Sequence, residues 1–302
     1  MNTCGGPIVQ SMQATATSDQ QIARSIIYRS RGSTHGPITR LASPGDLGQV
    51  LKPFVFLDLF DNGGRPFPEI GMHPHSGLAT LTYVSEGSVS YRDTNGASGI
   101  LHAGGIEWMQ AGKGAWHSGG AGEPGRTRGF QLWVALPPEL ELGPSVSIYR
   151  SATQIEQAGP ARVLLGEYQR VQAPIAAPSP INYLAVTLRA GQRWRYEPPK
   201  GHSILWLAVG KGRVLAPKAV NDGEIAVFEY GGQAVDFIAE ESSEFVIGSA
   251  APHPHNLVLG YYSVHTSERA LDAGEAHIQR LREEMTKTAR TSSQRLLTPT
   301  QP

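Results

Sequence analysis

Turn-forming residues are spread along the whole chain, and that limits it to short elements. Gly 35 and Pro 22 together make 57 of the 302 residues, about 19% against a usual share of roughly 12%. No Gly-X-Y period orders them, which excludes a collagen-like chain. Hydrophobic residues make up 40% and charged residues 17%, enough apolar material for a core and too little charge for a disordered chain. Frequent breaks in such a chain favour short strands over long helices. The length fits about two domains, or one large one.

The apolar segments agree. Ile26 to Tyr28 gives the first strand signal. Leu51 to Phe60 is apolar and rich in β-forming aromatics, and Asp61-Asn62-Gly63-Gly64 ends it in a turn. Leu78 to Val84, Ser88 to Arg92, Gly105 to Gln110 and Phe130 to Ala135 follow at close spacing, the pattern of a sandwich or barrel. Pro174 to Pro180 has no periodicity and reads as a linker. Beyond it the strands resume at Tyr183 to Leu188, Ile204 to Val209, Ile225 to Tyr230, Ala234 to Ile238, Phe245 to Ile247 and Leu257 to Leu259. Only the end reads as helix. Ser267 fits an N-cap, and Leu271, Ile278, Leu281 and Met285 share one face. Gly274 falls on that face and costs a helix about 1 kcal/mol relative to Ala, which predicts a loose first turn.

The expected organisation is an N-terminal domain over 23–173, a C-terminal domain over 181–266, a helix over 267–290, and flexible tails at 1–22 and 291–302. The halves also resemble each other. With Gly87 set on Gly212, LTYVSEGSV (81–89) falls on WLAVGKGRV (206–214), and Gly105-Ile106-Glu107 matches Gly223-Glu224-Ile225. That suggests a duplicated β-domain.

Charge and cysteine usage narrow the function. Lys+Arg 26 balances Asp+Glu 26, which argues against general nucleic-acid binding. The single cysteine, Cys4, excludes an intramolecular disulfide framework and a zinc finger. No signal peptide or membrane-length apolar run is visible, so the expectation is a cytoplasmic protein without membrane partners. No Walker A loop, dinucleotide fingerprint or nucleophile elbow occurs.

The densest chemical signal is Gly71-Met72-His73-Pro74-His75, followed by Gly112, Gly114 and His117. Residues two apart on a strand face one side, so His73 and His75 point together. Paired imidazoles suit Fe, Ni, Cu or Zn, and His117 lies about two hairpins away as a third ligand. His102, His202 and His265 read as surface or hydrogen-bonded histidines. His253-Pro254-His255 repeats the spelling but lacks the Gly-rich turn and a third histidine. Glu107 has three readings: a surface residue, an acceptor behind a ligating imidazole, or a ligand. Met72, Trp108, Met109 and Trp116 are read as core, with a substrate cavity as the alternative.

HPHSGLATLTYVSEGSVSYRDTNG (73–96) and GGIEWMQAGKGAWHS (104–118), with KPFVFLDLFD (52–61) upstream, closely resemble the pirin family of the cupin superfamily. The second half resembles the family's degenerate C-terminal cupin more loosely. The resemblance implies an all-β chain of two cupin (jelly-roll β-barrel) domains with a C-terminal helix. It carries the metal histidines onto His73, His75 and His117. The family's fourth ligand, a Glu two residues after the third histidine, falls on Gly119, and a further family Glu falls on Ala79.

Two functions follow from the resemblance. The first is a metal-dependent dioxygenase of the quercetinase type acting on flavonol-like phenols, with Fe(II) first among the metals, Ni, Cu or Zn next, and Glu107 as the replacement acid/base. The second is a non-enzymatic protein that binds a protein partner, with a modified or empty metal site. A metal-free barrel that binds a small aromatic molecule is the third reading.

Overall fold

The computed structural model describes residues 24–296. Two barrels, each a large and a small antiparallel sheet, stand side by side. The first large sheet runs, in spatial order, Val146–Arg150, Ile106–Gln110, Leu78–Glu86, Arg128–Ala135, Phe54–Asp61, Ile38–Ala42 and Ser33–His35. Its small sheet orders Ile70–His75, Ala115–Ala121, Ser88–Asp93 and Ser98–His102. The second large sheet runs Ile26–Ser30, Ile225–Phe228, Ile204–Lys211, Ser243–Ala250, Ile181–Leu188, Ala161–Leu165 and Gln157–Ala158. Arg193–Tyr196, Val235–Ala239, Arg213–Ala216 and Lys218–Asn221 complete it. Each strand of these four sheets has a counterpart at the same place in the other barrel. Gly87 and Gly212, aligned from sequence, both turn at positive φ, 74° and 86°, a conformation open mainly to glycine.

The strand sequences read as nearly continuous apolar runs because both faces of the large sheets are covered. In Phe54–Asp61, Leu57 and Leu59 face the second barrel while Phe56, Asp58 and Phe60 face the first barrel's interior. In Ile204–Lys211, Ile204, Trp206 and Ala208 face the first barrel while Leu205, Leu207 and Val209 face inward. The shared core between the large sheets is anchored by Phe54 edge-on to Trp206 at 5.3 Å.

The sheets divide the chain differently from the boundaries expected above. Ile26–Ser30 pairs with Ile225–Phe228 of the second barrel, and Gln157–Ala158 and Ala161–Leu165 extend the second sheet through Ile181–Leu188. The 23–173 segment therefore contributes strands to both barrels. An exposed sheet edge accepts whichever strand can reach it, and proximity in sequence does not decide that. Leu47–Leu51 is a short helix, so the strand expected from Leu51 starts at Phe54.

The C-terminal helix, Glu268–Leu296, is continuous and passes the limit of 290 set from sequence, so 291–296 are helical. The expected tail at 1–22, and residues 297–302 of the tail expected over 291–302, lie outside the described residues. Ser267 caps the helix, its Oγ accepting the Ala270 N–H at 3.3 Å. Gly274 marks a close approach rather than a weak turn: a Cβ there would sit 2.6 Å from His265 Nε2 and from Ser76 Oγ. Ala270, Leu271 and Ile278 are buried, and Trp116 Nε1 donates to the Ile278 carbonyl at 3.1 Å. No helix among the described residues is long and apolar enough to cross a membrane.

Candidate metal centre

The small sheet of the first barrel builds the site. Ile70–His75 and Ala115–Ala121 pair so that His117 lies opposite His73, and Ala115 opposite His75. Strand alternation turns His73 and His75 to one side, and the cross-strand register brings His117 to them. The ring centroids are 5.1 Å apart for His73 and His75, 4.4 Å for His73 and His117, and 5.0 Å for His75 and His117. One ring nitrogen from each lies within 4.8 Å of the others, so the group could hold a metal ion.

Hydrogen bonds on the far side of each ring fix which nitrogen that is. His73 Nδ1–H donates to the Gly71 carbonyl at 2.9 Å, and His75 Nδ1–H to the Tyr262 carbonyl at 3.0 Å. His117 Nδ1 faces Glu107 Oε1 at 3.4 Å. With the proton on Nδ1 in all three, Nε2 carries the lone pair. His117 Nε2 is buried and has no protein partner. Burial, then the neighbouring His117, lowers the His73 pKa to about 4. Burial, His117 and His73 hold His75 well below its ordinary value. Both rings are therefore neutral at pH 7, the state that ligates. A neutral three-imidazole donor set fits a divalent transition ion.

Glu107 is 5% exposed and stands behind His117, on the Nδ1 side. It does not join the converging nitrogens. Its Oε2 accepts from Thr82 Oγ1 at 2.8 Å, and the Tyr149 hydroxyl lies 3.5 Å from Oε1 while donating to Asp93 at 2.8 Å. This is the carboxylate–histidine arrangement that sets tautomer and ring orientation at metal sites. Glu107 belongs to a row that crosses the large sheet by direct pairing: Tyr149, Glu107, Thr82, Gln131, Asp58 and Arg40. Thr82 has one proton, and with it on Glu107 the end of the Gln131 amide facing Thr82 must be the NH₂. Burial raises the Asp58 pKa, opposed by its pairing with Arg40.

The cavity in front of the histidines measures about 380 Å³. Phe56, Phe60, Phe67, Tyr91, Trp133 and Tyr262 wall it. Of the residues considered from sequence as cavity lining, Trp108 and Met109 are in the core, Trp116 packs on the helix, and Met72 is 38% exposed; none lines the cavity. Trp133 and Tyr262 were missed. The alternation Phe56-x-Asp58-x-Phe60 could have placed Asp58 on the cavity side, but no local signal marks Tyr262.

The other histidines divide as expected. His102 is exposed, whereas His202 and His265 are buried and bonded to Ser249 and Glu141. His253 and His255 come within 5.4 Å but gain no third ligand; His73, His75 and His117 form the one such cluster among the described residues. The second barrel shows why it has no such centre. In the places of His73, His75 and His117 in the strand register stand Trp194, Tyr196 and Phe237, with Trp194 5.6 Å from Tyr196 and 5.5 Å from Phe237. Dry aromatic packing fills the volume.

Only one of the two absent carboxylates bears on the site. Ala79 is fully buried in the core between the barrels, facing away from the histidines. Gly119 lines the cavity, and a Cβ there would meet only the Ser90 carbonyl, at 3.2 Å. Gly119→Glu should therefore tighten nickel binding by at least about tenfold, the equivalent of roughly 1.4 kcal/mol, in a chelator competition. Unchanged affinity would show that the added carboxylate does not reach the ion.

The "Pirin" family model matches residues 37–134, which contain all three histidines. The chain is 30% identical over 243 residues, 74% of its length and 84% of the relative's, to a protein of Pseudomonas aeruginosa named "Putative quercetin 2,3-dioxygenase". A quercetin 2,3-dioxygenase from Acinetobacter baumannii has the same fold, with a TM-score of 0.78 at 24% identity, over 85% of this chain and 97% of that one. The bacterial pirin YhhW from Escherichia coli, solved with nickel(II), aligns with a TM-score of 0.59 at 20% identity, over 73% and 95% of the chains. With the family model on residues 37–134 and the Pseudomonas aeruginosa relative matched over most of both chains, the chain belongs to the pirin family.

Proposed function

We propose that this protein binds one divalent transition metal through His73, His75 and His117 and uses it to oxygenate flavonol-like phenols. The observation that carries the reading is the convergence of three Nε2 lone pairs on an aromatic-walled cavity. Fe(II) is the first candidate, and nickel, copper and zinc suit the same donors. A bound metal would supply Lewis acidity and coordination positions for adjacent phenolic oxygens. The chain's own residues orient and shield. Gly71, Tyr262 and Glu107 hold the three rings by their Nδ1 atoms. The aromatic walls exclude water from a planar ligand. Glu107 acts as a positioning group, because His117 stands between it and the ligating nitrogens.

Oxygen consumption with quercetin, measured on protein reconstituted with Fe(II) and with Ni(II), tests the reading. Turnover that disappears in His117→Ala supports it. Metal-loaded protein that consumes no oxygen sinks it.

A second reading has its own observation. Ile70, Tyr261 and Tyr262 are 36%, 72% and 41% exposed; Ile70 and Tyr262 line the cavity, and the Tyr261 ring packs on that of Tyr262 at 4.6 Å. Exposed apolar side chains grouped around a pocket mouth are a feature of protein-binding surfaces, and with Gly119 at the ligand position they favour a regulatory pirin. Inert but metal-loaded protein would leave that reading standing.

A further inference from the structure

His75 is fixed by a residue 187 positions away, Tyr262. Beyond the second barrel the chain returns to the first as a strap, Val258–Leu259 pairing with Val264–His265. The strap is seated closely: Val264 N–H donates to the Ser76 carbonyl at 3.1 Å, and a Cβ on Gly77 would lie 2.0 Å from the Val264 carbonyl. A buried chain latches it. Ser76 Oγ lies 2.9 Å from His265 Nε2, and His265 Nδ1 lies 3.0 Å from Glu141 Oε2. The same carboxylate accepts the Thr266 N–H at 2.8 Å and its hydroxyl at 2.6 Å. Ser76, His265 and Glu141 are 0%, 1% and 3% exposed, so this serine–histidine–carboxylate line is closed to any substrate and serves as a fastening.

At the strap's tip Tyr262 has φ +56°, a left-handed conformation that is costly for a bulky residue and persists only where its surroundings enforce it. That conformation accompanies two contacts made at once. The Tyr262 carbonyl faces His75 Nδ1. The ring stands over the cavity, 5.7 Å from His73, 5.8 Å from His75 and 6.2 Å from Trp133.

We propose that Tyr262 is a positioning and specificity-determining residue of the histidine centre: its carbonyl orients His75, and its ring forms the wall that selects a planar aromatic ligand. The metal and ligand parts rest on the function proposed above; the part concerning the ring as a wall does not.

Labelling of histidines by diethyl pyrocarbonate in metal-free full-length protein, resolved by peptide mass, reads the wall directly. In Tyr262→Ala, His73 should label severalfold faster than in the wild type, with exposed His35 unchanged as the control and Tyr262→Phe restoring protection. Glu141→Ala, which leaves the His265 Nδ1–H and the Thr266 N–H of the latch without their acceptor, should lower nickel affinity roughly ten- to a hundredfold, the usual cost of losing an outer partner of a ligating imidazole. If that variant does not fold, Thr266→Val replaces it, with a smaller loss in the same direction. Quercetin binding to zinc-loaded protein should weaken about two- to tenfold in Tyr262→Ala, the range of one aromatic contact, and recover in Tyr262→Phe. Unchanged His73 labelling in Tyr262→Ala overturns the wall. Wild-type nickel affinity in a latch variant whose 258–266 amides exchange freely overturns the positioning role. Wild-type protein that takes up no nickel refutes the metal reading, while the labelling still decides on the ring.

Discussion

His117→Ala should empty the metal centre. Protein purified without an affinity tag and reconstituted with nickel is expected to hold about one ion per chain, on the donor set of three imidazoles. The variant should lose more than about a hundredfold in affinity, because even the outer partners of ligating histidines are worth roughly ten- to a hundredfold. The expectation rests on His117 Nε2, buried and without a protein partner, and on Nδ1 being engaged with Glu107, so that the ring has one nitrogen left to ligate. His73→Ala should behave alike, since its ring lies 4.4 Å from His117 and its Nδ1 is taken by Gly71. His253→Ala is the control: it breaks the other His-Pro-His spelling and should leave the metal content untouched. Elemental analysis of the three variants decides. Full metal content in His117→Ala would place the ion elsewhere.

Metal-free protein should lose stability steeply as the pH falls from about 6.5 to about 4. Six histidines have pKa values lowered in the fold, chiefly by burial: His73, His75, His202, His253, His265 and His277. In the unfolded chain each titrates near 6.5. Above that pH both states hold the rings neutral, and the stability is intact. Below it the unfolded state binds protons that the folded state refuses, so the balance shifts to unfolding until the folded pKa is reached, about 4 for His73. Each pKa unit of such a gap corresponds to about 1.4 kcal/mol. Asp58 and Asp222 act oppositely, since burial raises their pKa values and the fold then takes up protons first. Two such carboxylates stand against six such histidines, so the histidines set the direction. Thermal melts of metal-free protein at pH 7.5, 6.5, 5.5 and 4.5 should show the midpoint falling at each step below 6.5. A midpoint flat from 7.5 to 5.5 would contradict the burial of these rings. Bound nickel should hold the midpoint up until the ligands protonate, as metal binding and ligand deprotonation are linked.

Much of the fold was legible because its signals are local. Strand alternation put His73 and His75 on one side, and the turn glycines marked where strands end. Gly87 and Gly212 announced a duplication that the matching strand orders bear out. Gly274 shows the opposite. Read locally it weakens a helix; in the structure the missing side chain lets the helix lie against His265 and Ser76. Leu57 and Phe56 both read as buried, yet one faces the other barrel and the other the cavity, and only the packing of the sheets assigns those faces.

The sequence by itself determined the His-x-His pair, from residue type and short spacing, and the family, whose resemblance singled out His117 and the Gly119 that stands in place of the family's Glu. Tertiary structure decided the rest. It put Glu107 behind His117 instead of among the ligands, turned Ala79 away from the site, gave Ile26–Ser30 to the distant barrel and brought Tyr262 to His75. The physical reason is common to all four. Periodicity along a strand fixes which side chains share a face, but which faces meet depends on register, edge pairing and chain return, which are settled by contacts between residues far apart in sequence.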